Sequence, residues 1–211
     1  MYLSRVEIDI NNRRKIKDLT HVGALHNWVE SSFPREFESG VRTRKLWRID
    51  NLHEKVFLLI VSQNTPSVKK LEMYGVEGTA QIKDYDKFLS KIENGKKYRF
   101  RVILNPVVSK MDNNTGTRGK TMPLANSKHM QFLYDRSEKN GFSLKKEDFH
   151  IVSRGHVTLK KESMRELRLS KVVYEGRLTV IDKDKLKEAL SKGIGKKKAY
   201  GFGMMTLIQE E

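Results

Sequence analysis

Cysteine is absent from the 211 residues, which excludes disulfides and thiolate metal sites. Long apolar runs are absent as well. The stretch 56–61 is far too short to span a bilayer, and the first residues lack the apolar segment of a signal peptide, so a cytoplasmic location without membrane contact is expected. Apolar residues as a whole are few, 37% against 32% charged, so the core is small relative to the surface, and two thin domains suit the length better than one thick one. Acidic residues are outnumbered, 26 Asp and Glu against 42 Lys and Arg, leaving a formal net charge of +16. The excess is not a tail: residues 1–100 hold 19 basic and 13 acidic groups, and residues 101–211 hold 23 and 13. Charge spread in this way points to a polyanionic partner, with nucleic acid foremost. A merely soluble basic protein is the plainer alternative, but solubility alone does not require so large an excess.

Metal-ligand spacing is also missing. The six histidines are His21, His26, His53, His129, His150 and His156, and none pairs at the i, i+4 interval that lets two imidazoles share an ion on a helix. His21 and His26 stand five apart, about 140° around a helix. The acidic pairs Asp84/Asp86 and Asp182/Asp184 lie at expected element ends with no third ligand nearby in sequence. No metal site is expected, and a Mg²⁺-dependent nuclease would need carboxylates gathered by the fold. Neither a Walker loop nor a dinucleotide fingerprint occurs, so no cofactor is expected either.

What is present is a repeated order of elements. Residues 2–10 read as a strand, and Asp18 or Thr20 can cap a helix that runs to Ser31 and is ended by Phe33-Pro34. Strands over 44–50 and 55–62 follow, joined by a turn at 51–54, then a short helix over 66–73 and a strand over 75–82. Asn94-Gly95 turns the chain into a strand over 96–106. After a polar stretch at 109–121 come a helix over 125–140 closed by Gly141, paired strands over 149–160 and 171–181, a helix over 183–191 begun by Asp182, and a last strand over 204–208. Each half has the βαββαβ order, so the expectation is an α+β chain of two tandem ferredoxin-like domains, 1–93 and 96–211, related in topology only.

Chemistry concentrates in three places. The stretch Gly193-Ile194-Gly195-Lys196-Lys197-Lys198-Ala199-Tyr200-Gly201-Phe202-Gly203 frames three lysines with four glycines. Glycines permit close backbone approach while lysines neutralise phosphates, a plausible cradle for RNA; a tight helix-to-strand turn is the equal alternative for Gly201 and Gly203. Two basic segments could grip a backbone: Arg42, Arg44, Lys45 and Arg48 around Trp47, and Arg154, Lys160, Lys161, Arg165, Arg168 and Lys171 on an expected strand pair, with an ordinary solvated face as the alternative. Trp28 and Trp47 could stack on bases, although burial is the commoner fate of tryptophan. RNA carries its own nucleophile, the 2′-OH, so a histidine that gives or accepts a proton near neutrality can suffice to cut it.

Taken in order, the opening Met1-Tyr2-Leu3-Ser4-Arg5-Val6, the segment 101–106 ending in Asn105-Pro106, Tyr174-Glu175-Gly176-Arg177-Leu178 and the glycine loop resemble the CasE family. These are the CRISPR repeat endoribonucleases of type I-E Cascade complexes, within the wider RAMP group. The resemblance covers essentially the whole chain, and the Gly-h-Gly-x5-Gly-h-Gly pattern, with h hydrophobic, is its most specific part. In that family a catalytic histidine lies in the first helix after Asp-Leu, in some members seven residues before Phe-Pro. Asp18-Leu19 and Phe33-Pro34 bracket His26 in that way, so the resemblance implies His26 as the catalytic histidine, with His21 as fallback. Some relatives place a catalytic tyrosine three residues earlier. Gly23 stands there, so His26 is expected to act alone or with a group from another segment, such as a lysine of the loop.

The resemblance further implies two RRM-like domains and metal-independent cleavage of precursor crRNA at the base of each repeat hairpin, by 2′-OH attack giving a 2′,3′-cyclic phosphate and a free 5′-OH. It implies retention of the crRNA with other Cascade subunits, and a hairpin bearing Lys160 and Lys161 that holds the RNA stem. A monomer is expected when the protein is free. The rival expectation is a non-catalytic RNA-binding subunit of a ribonucleoprotein, although neither half shows the aromatic RNP1 strand of an RRM.

Overall fold

The computed structural model describes residues 1–111, 118–161 and 164–210. Its first half runs β1 (Tyr2–Glu7), α1 (Arg13–Ile16), α2 (Val22–Ser31), α3 (Pro34–Ser39), β2 (Leu46–Leu52), β3 (Lys55–Ser62), α4 (Val68–Leu71), β4 (Gln81–Asp84) and α5 (Asp86–Leu89). The second runs β5 (Lys97–Leu104), β6 (Val107–Met111), β7 (Arg118–Pro123), α6 (His129–Ser137), β8 (Phe142–Ser143), β9 (Phe149–Lys161), β10 (Met164–Val180), α7 (Lys183–Lys192) and β11 (Met205–Gln209). The first sheet is ordered β2-β3-β1-β4 and the second β11-β5-β10-β8, with β9 also paired to β10; β6 and β7 form a separate hairpin. In both large sheets the strand that opens the half lies inside, between the last strand and the third, as a βαββαβ chain requires. The fold is α+β, with two tandem ferredoxin-like units.

Several expected boundaries move, for local reasons. The helix expected over 66–73 is a single turn, and the strand expected from residue 75 begins at Gln81, because only Gly75 bridges back to Ile8 before the chain turns away. Helices α1, α3 and α5 have four to six residues, too few to display a 3.6-residue period. Part of the polar 109–121 stretch lies in the β6–β7 hairpin, and its residues 112–117 lie outside the described ones. Strand β10 starts at Met164, not near 171, because it keeps pairing with β9 from Met164↔Lys161 to Gly176↔Phe149. Helix α7 begins as expected: the Asp182 carboxylate accepts from the N–H groups of Asp184 and Lys185.

The halves do not have separate cores. One apolar cluster joins Phe100, Val102, Leu178 and Met205 to Leu46, Val61, Tyr85 and Leu89, and the other joins Val6, Val29 and Leu58 to Ile103, Leu159, Leu169 and Phe202. Strand β2 makes the polar part of the join. Arg48, 2% exposed, donates to the Arg101 and Met204 carbonyls, to Thr206 and to Asp50. The neighbouring Trp47, equally buried, donates its indole N–H to the Ala199 carbonyl at 2.9 Å. Both residues therefore bind protein, not RNA, and so does Trp28, whose buried indole donates to the Lys70 carbonyl.

Lys45 is a correction to the expected RNA-binding set. Its side chain is 1% exposed and its ammonium lies 2.7 Å from Glu36 and 3.1 Å from Glu30, so it cannot reach a phosphate. A buried ammonium needs such partners. Burial alone pushes the Glu36 carboxyl up, but hydrogen bonds from Lys45, Thr43 and Asn64 outweigh it and hold its pKa at about 2, against 4.5 when free. A group depressed in this way stabilises the fold fully above its unfolded value and loses that contribution as pH falls toward its folded value. Denaturant titrations at pH 7 and pH 3 should therefore show a loss of stability on acidification that Glu36→Gln reduces, while at pH 7 the variant itself is weaker by on the order of 3 kcal/mol, since one partner of a buried pair is gone. Equal pH dependence in the two proteins would show that this cluster does not govern acid stability.

Candidate active site

Helix α2 places His26 at the edge of its buried face. Val22, Trp28 and Val29 are buried and Leu25 packs beside them, the stripe of a helix laid on a sheet. His26 follows Val22 by one turn and precedes Glu30 by one, so its ring is half-buried. Neither Asp18 nor Thr20 caps this helix. The cap is His21, whose Nδ1 accepts from the N–H of Gly23 at 3.0 Å and of Ala24 at 3.3 Å. That role commits one His21 nitrogen as an acceptor to the helix terminus. A Cβ on Gly23 would lie 2.8 Å from the His21 ring and 3.1 Å from the Lys160 carbonyl, so both the cap and the approach of β9 need a residue without a side chain.

Across from α2 stands the glycine loop. A 3₁₀ turn over Lys198–Tyr200 sets the Tyr200 ring edge-on to His26, with centroids 5.5 Å apart and planes at 64°. His21, Gly23, His26, Asn27, Leu159, Lys160 and Tyr200 line an open cleft of about 600 Å³. Hollows of about 800 Å³ beside Glu36 and about 830 Å³ between Arg48 and Arg177 are larger, but neither holds His26. Chemistry, not size, singles out the smaller one. Burial is the main influence on His26 and pushes its pKa below the ordinary 6.5; Glu30 opposes this, Lys45 and Arg42 reinforce it, and the Ala199 backbone opposes it. The outcome is an imidazole that is neutral near pH 7 and able to take a proton.

The remaining expected residues separate into three groups. Arg42, Arg44, Arg154, Lys160, Arg168 and Lys197 are exposed, and Lys196 and Lys198 are half-buried. Lys196 donates to Ser109, and Lys198 donates to the Lys192 carbonyl. Burial lowers the Lys198 pKa, and the neighbouring Arg44 and Lys192 add to that. The second group is structural: Gly193 and Gly203 are buried, and a Cβ at Gly203 would meet the Ile194 carbonyl at 2.4 Å, so these two glycines close the loop on itself and offer RNA no backbone. Gly201 turns its open side to the Trp47 ring, and only Gly195 remains exposed. The third group, the side chains of Lys161 and Arg165, lies outside those described. Sequence reasoning named Tyr200 only as a loop residue, because nothing in its spacing signals a contact with a helix near the other end of the chain.

A family model described as "CRISPR associated protein" matches residues 1–209. The CRISPR-associated endoribonuclease Cse3 of Thermus thermophilus is 25% identical, over 98% of this chain and 99% of its own length. The structure of Thermus thermophilus Cse3 bound to an RNA representing a pre-cleavage complex superposes with a TM-score of 0.77 at 25% identity, covering 98% of both chains. The crystal structure of Cas6e from Escherichia coli K-12 shares the fold, with a TM-score of 0.68 at 23% identity over the full length of both.

The cap gives a direct test of which histidine is structural. His21→Ala should lower the unfolding free energy by about 1 kcal/mol and His21→Asn should restore most of it, since asparagine is a good N-cap. Equal stability of all three proteins in guanidinium titrations would contradict the capping role.

Proposed function

The chain belongs to the CRISPR-associated protein family, and from that membership and the geometry of the His26 cleft we propose that it is a CasE-type endoribonuclease that cuts precursor crRNA at the base of the repeat hairpin. The observation that carries the reading is a half-buried imidazole, its pKa pushed down by burial, facing an open cleft beside the exposed Lys160 of the β9–β10 hairpin. Strand register supports the hairpin as the stem-binding element: Arg154, His156, Thr158 and Lys160 fall on one face of β9, with Arg168 opposite Thr158 on β10. An array of cations on one ribbon suits a phosphate backbone, whose contacts position the RNA without reading its bases. Arg42 acts electrostatically on His26, and Arg44 on Lys198 of the loop, adding positive charge around the helix and the loop.

In this reading His26 removes the 2′-OH proton, the 2′-oxygen attacks phosphorus, and the products are a 2′,3′-cyclic phosphate and a 5′-OH. No metal enters the step. The division at residues 93–96 then has a functional sense: residues 1–93 bring the catalytic helix, and residues 96–211 bring the RNA-gripping hairpin and glycine loop. The product crRNA stays bound, as a component passed to the other subunits of Cascade.

His26→Ala should slow cleavage of a matched repeat hairpin by roughly 10²- to 10⁴-fold, the usual contribution of general acid–base catalysis. RNA affinity should hardly change, since many phosphate contacts outweigh one imidazole. EDTA should leave the wild-type rate unchanged, and an RNA with a 2′-deoxy sugar at the scissile position should bind and stay intact. Full activity of His26→Ala, or cutting of the deoxy substrate, would refute the mechanism.

A further inference from the structure

Cleavage by the 2′-oxygen moves two protons: one leaves the nucleophile, and one must reach the 5′-oxygen as the P–O5′ bond breaks. The two oxygens stand roughly in line on opposite sides of phosphorus, so a single imidazole cannot serve both in one step. A donor fixed in the cleft would supply the second proton. Asn27 does not titrate, His21 gives Nδ1 to the helix cap, and Lys160 stands well exposed, 3.9 Å from Glu166. Tyr200 differs from all three. Its hydroxyl makes no hydrogen bond among the described residues, although its ring is held firmly.

The hold on that ring is built into the loop. Lys197 adopts a left-handed φ of +63° and its carbonyl accepts from the Tyr200 N–H at 2.9 Å, closing the turn. Gly201 is left-handed at +83°, with the Trp47 ring against it, and Trp47 also ties down the Ala199 carbonyl. At the loop's ends Ile194 donates to the Gly203 carbonyl, and Gly203 donates to that of Ile103. Tyr200 thus enters the cleft from a clamped backbone, in edge contact with His26, and carries the one phenol among the described residues that line it. A phenol carries an O–H donor and is a far better acid than the alcohol being released.

We propose that Tyr200 is the second catalytic group: as His26 takes the proton of the attacking 2′-OH, the Tyr200 hydroxyl gives its own to the departing 5′-oxygen. The 2′-O–P bond forms and the P–O5′ bond breaks, leaving an imidazolium and a phenolate that exchange the proton through water and return the site to its starting state. No external oxidant or metal is needed. This assignment rests on the ribonuclease reading given above.

The test compares two RNAs under single-turnover conditions with saturating protein: the repeat hairpin, and the same hairpin with sulfur bridging phosphorus and C5′ at the scissile bond. A thiolate leaves without being protonated. Tyr200→Phe keeps the ring against His26 and loses only the hydroxyl, so it should cut the ordinary RNA on the order of 10²-fold more slowly than wild type, the scale of one acid–base group. It should cut the sulfur RNA as fast as wild type, with RNA affinity unchanged, while His26→Ala should be slow on both. Wild-type speed of Tyr200→Phe on the ordinary RNA, or an equal loss on both RNAs, would overturn the assignment. A wild-type protein that cuts neither RNA would instead overturn the ribonuclease reading itself.

Discussion

Strand β2 docks on the second half of the chain through three consecutive residues, and the site depends on that docking. Leu46 packs into the cluster that holds Phe100 and Val102, and a Cβ on Gly193 would lie 2.6 Å from its methyl group. Trp47 holds the 3₁₀ turn that carries Tyr200. Arg48 reaches the other way, donating to the Arg101 and Met204 carbonyls of the second sheet region. His26 comes from the first ferredoxin-like unit, and Tyr200 and Lys160 come from the second. The proposed chemistry needs groups from both units beside one phosphate, and a rigid join keeps them so placed.

The cations of this protein fall into two populations with opposite purposes. Lys45 and Arg48 are buried and paired, and they hold structure. Arg42, Arg44, Lys197, Arg154 and Arg168 are exposed and remain open to an anionic partner. His26 lies between these populations, with Lys45 and Arg42 both acting on it and Glu30, which is shared with Lys45, acting against them. The glycine loop divides in the same manner: three of its four glycines permit packing against Leu46, Trp47 or Ile194, and its lysines carry the charge.

Much of the fold was legible in the sequence because it rests on long elements. Strands β1, β3 and β5 and helix α7 are marked by alternation, β-branched residues and an Asp cap. The short helices were hidden by their length, and the extension of β10 was hidden because charged residues on a solvent-facing ribbon show no apolar alternation. His26 was legible only through the Asp18-Leu19 and Phe33-Pro34 bracket of a family pattern. Lys45 was misread because a lysine beside tryptophan looks alike whether its ammonium meets water or two carboxylates. Tyr200 was overlooked for a different reason: its partner lies on the first long helix, and local pattern carries no record of such a contact.

In the proposed reaction the half-buried His26 takes the first proton. The most direct measurement is the pH dependence of the second-order rate constant for cleavage of the repeat hairpin, which reports groups of the free protein. Burial acting on His26 outweighs Glu30, so the rate should rise with pH through a midpoint below 6.5 and be level by neutrality. A midpoint clearly above 6.5, or a rate that falls as pH rises through this range, would contradict the account.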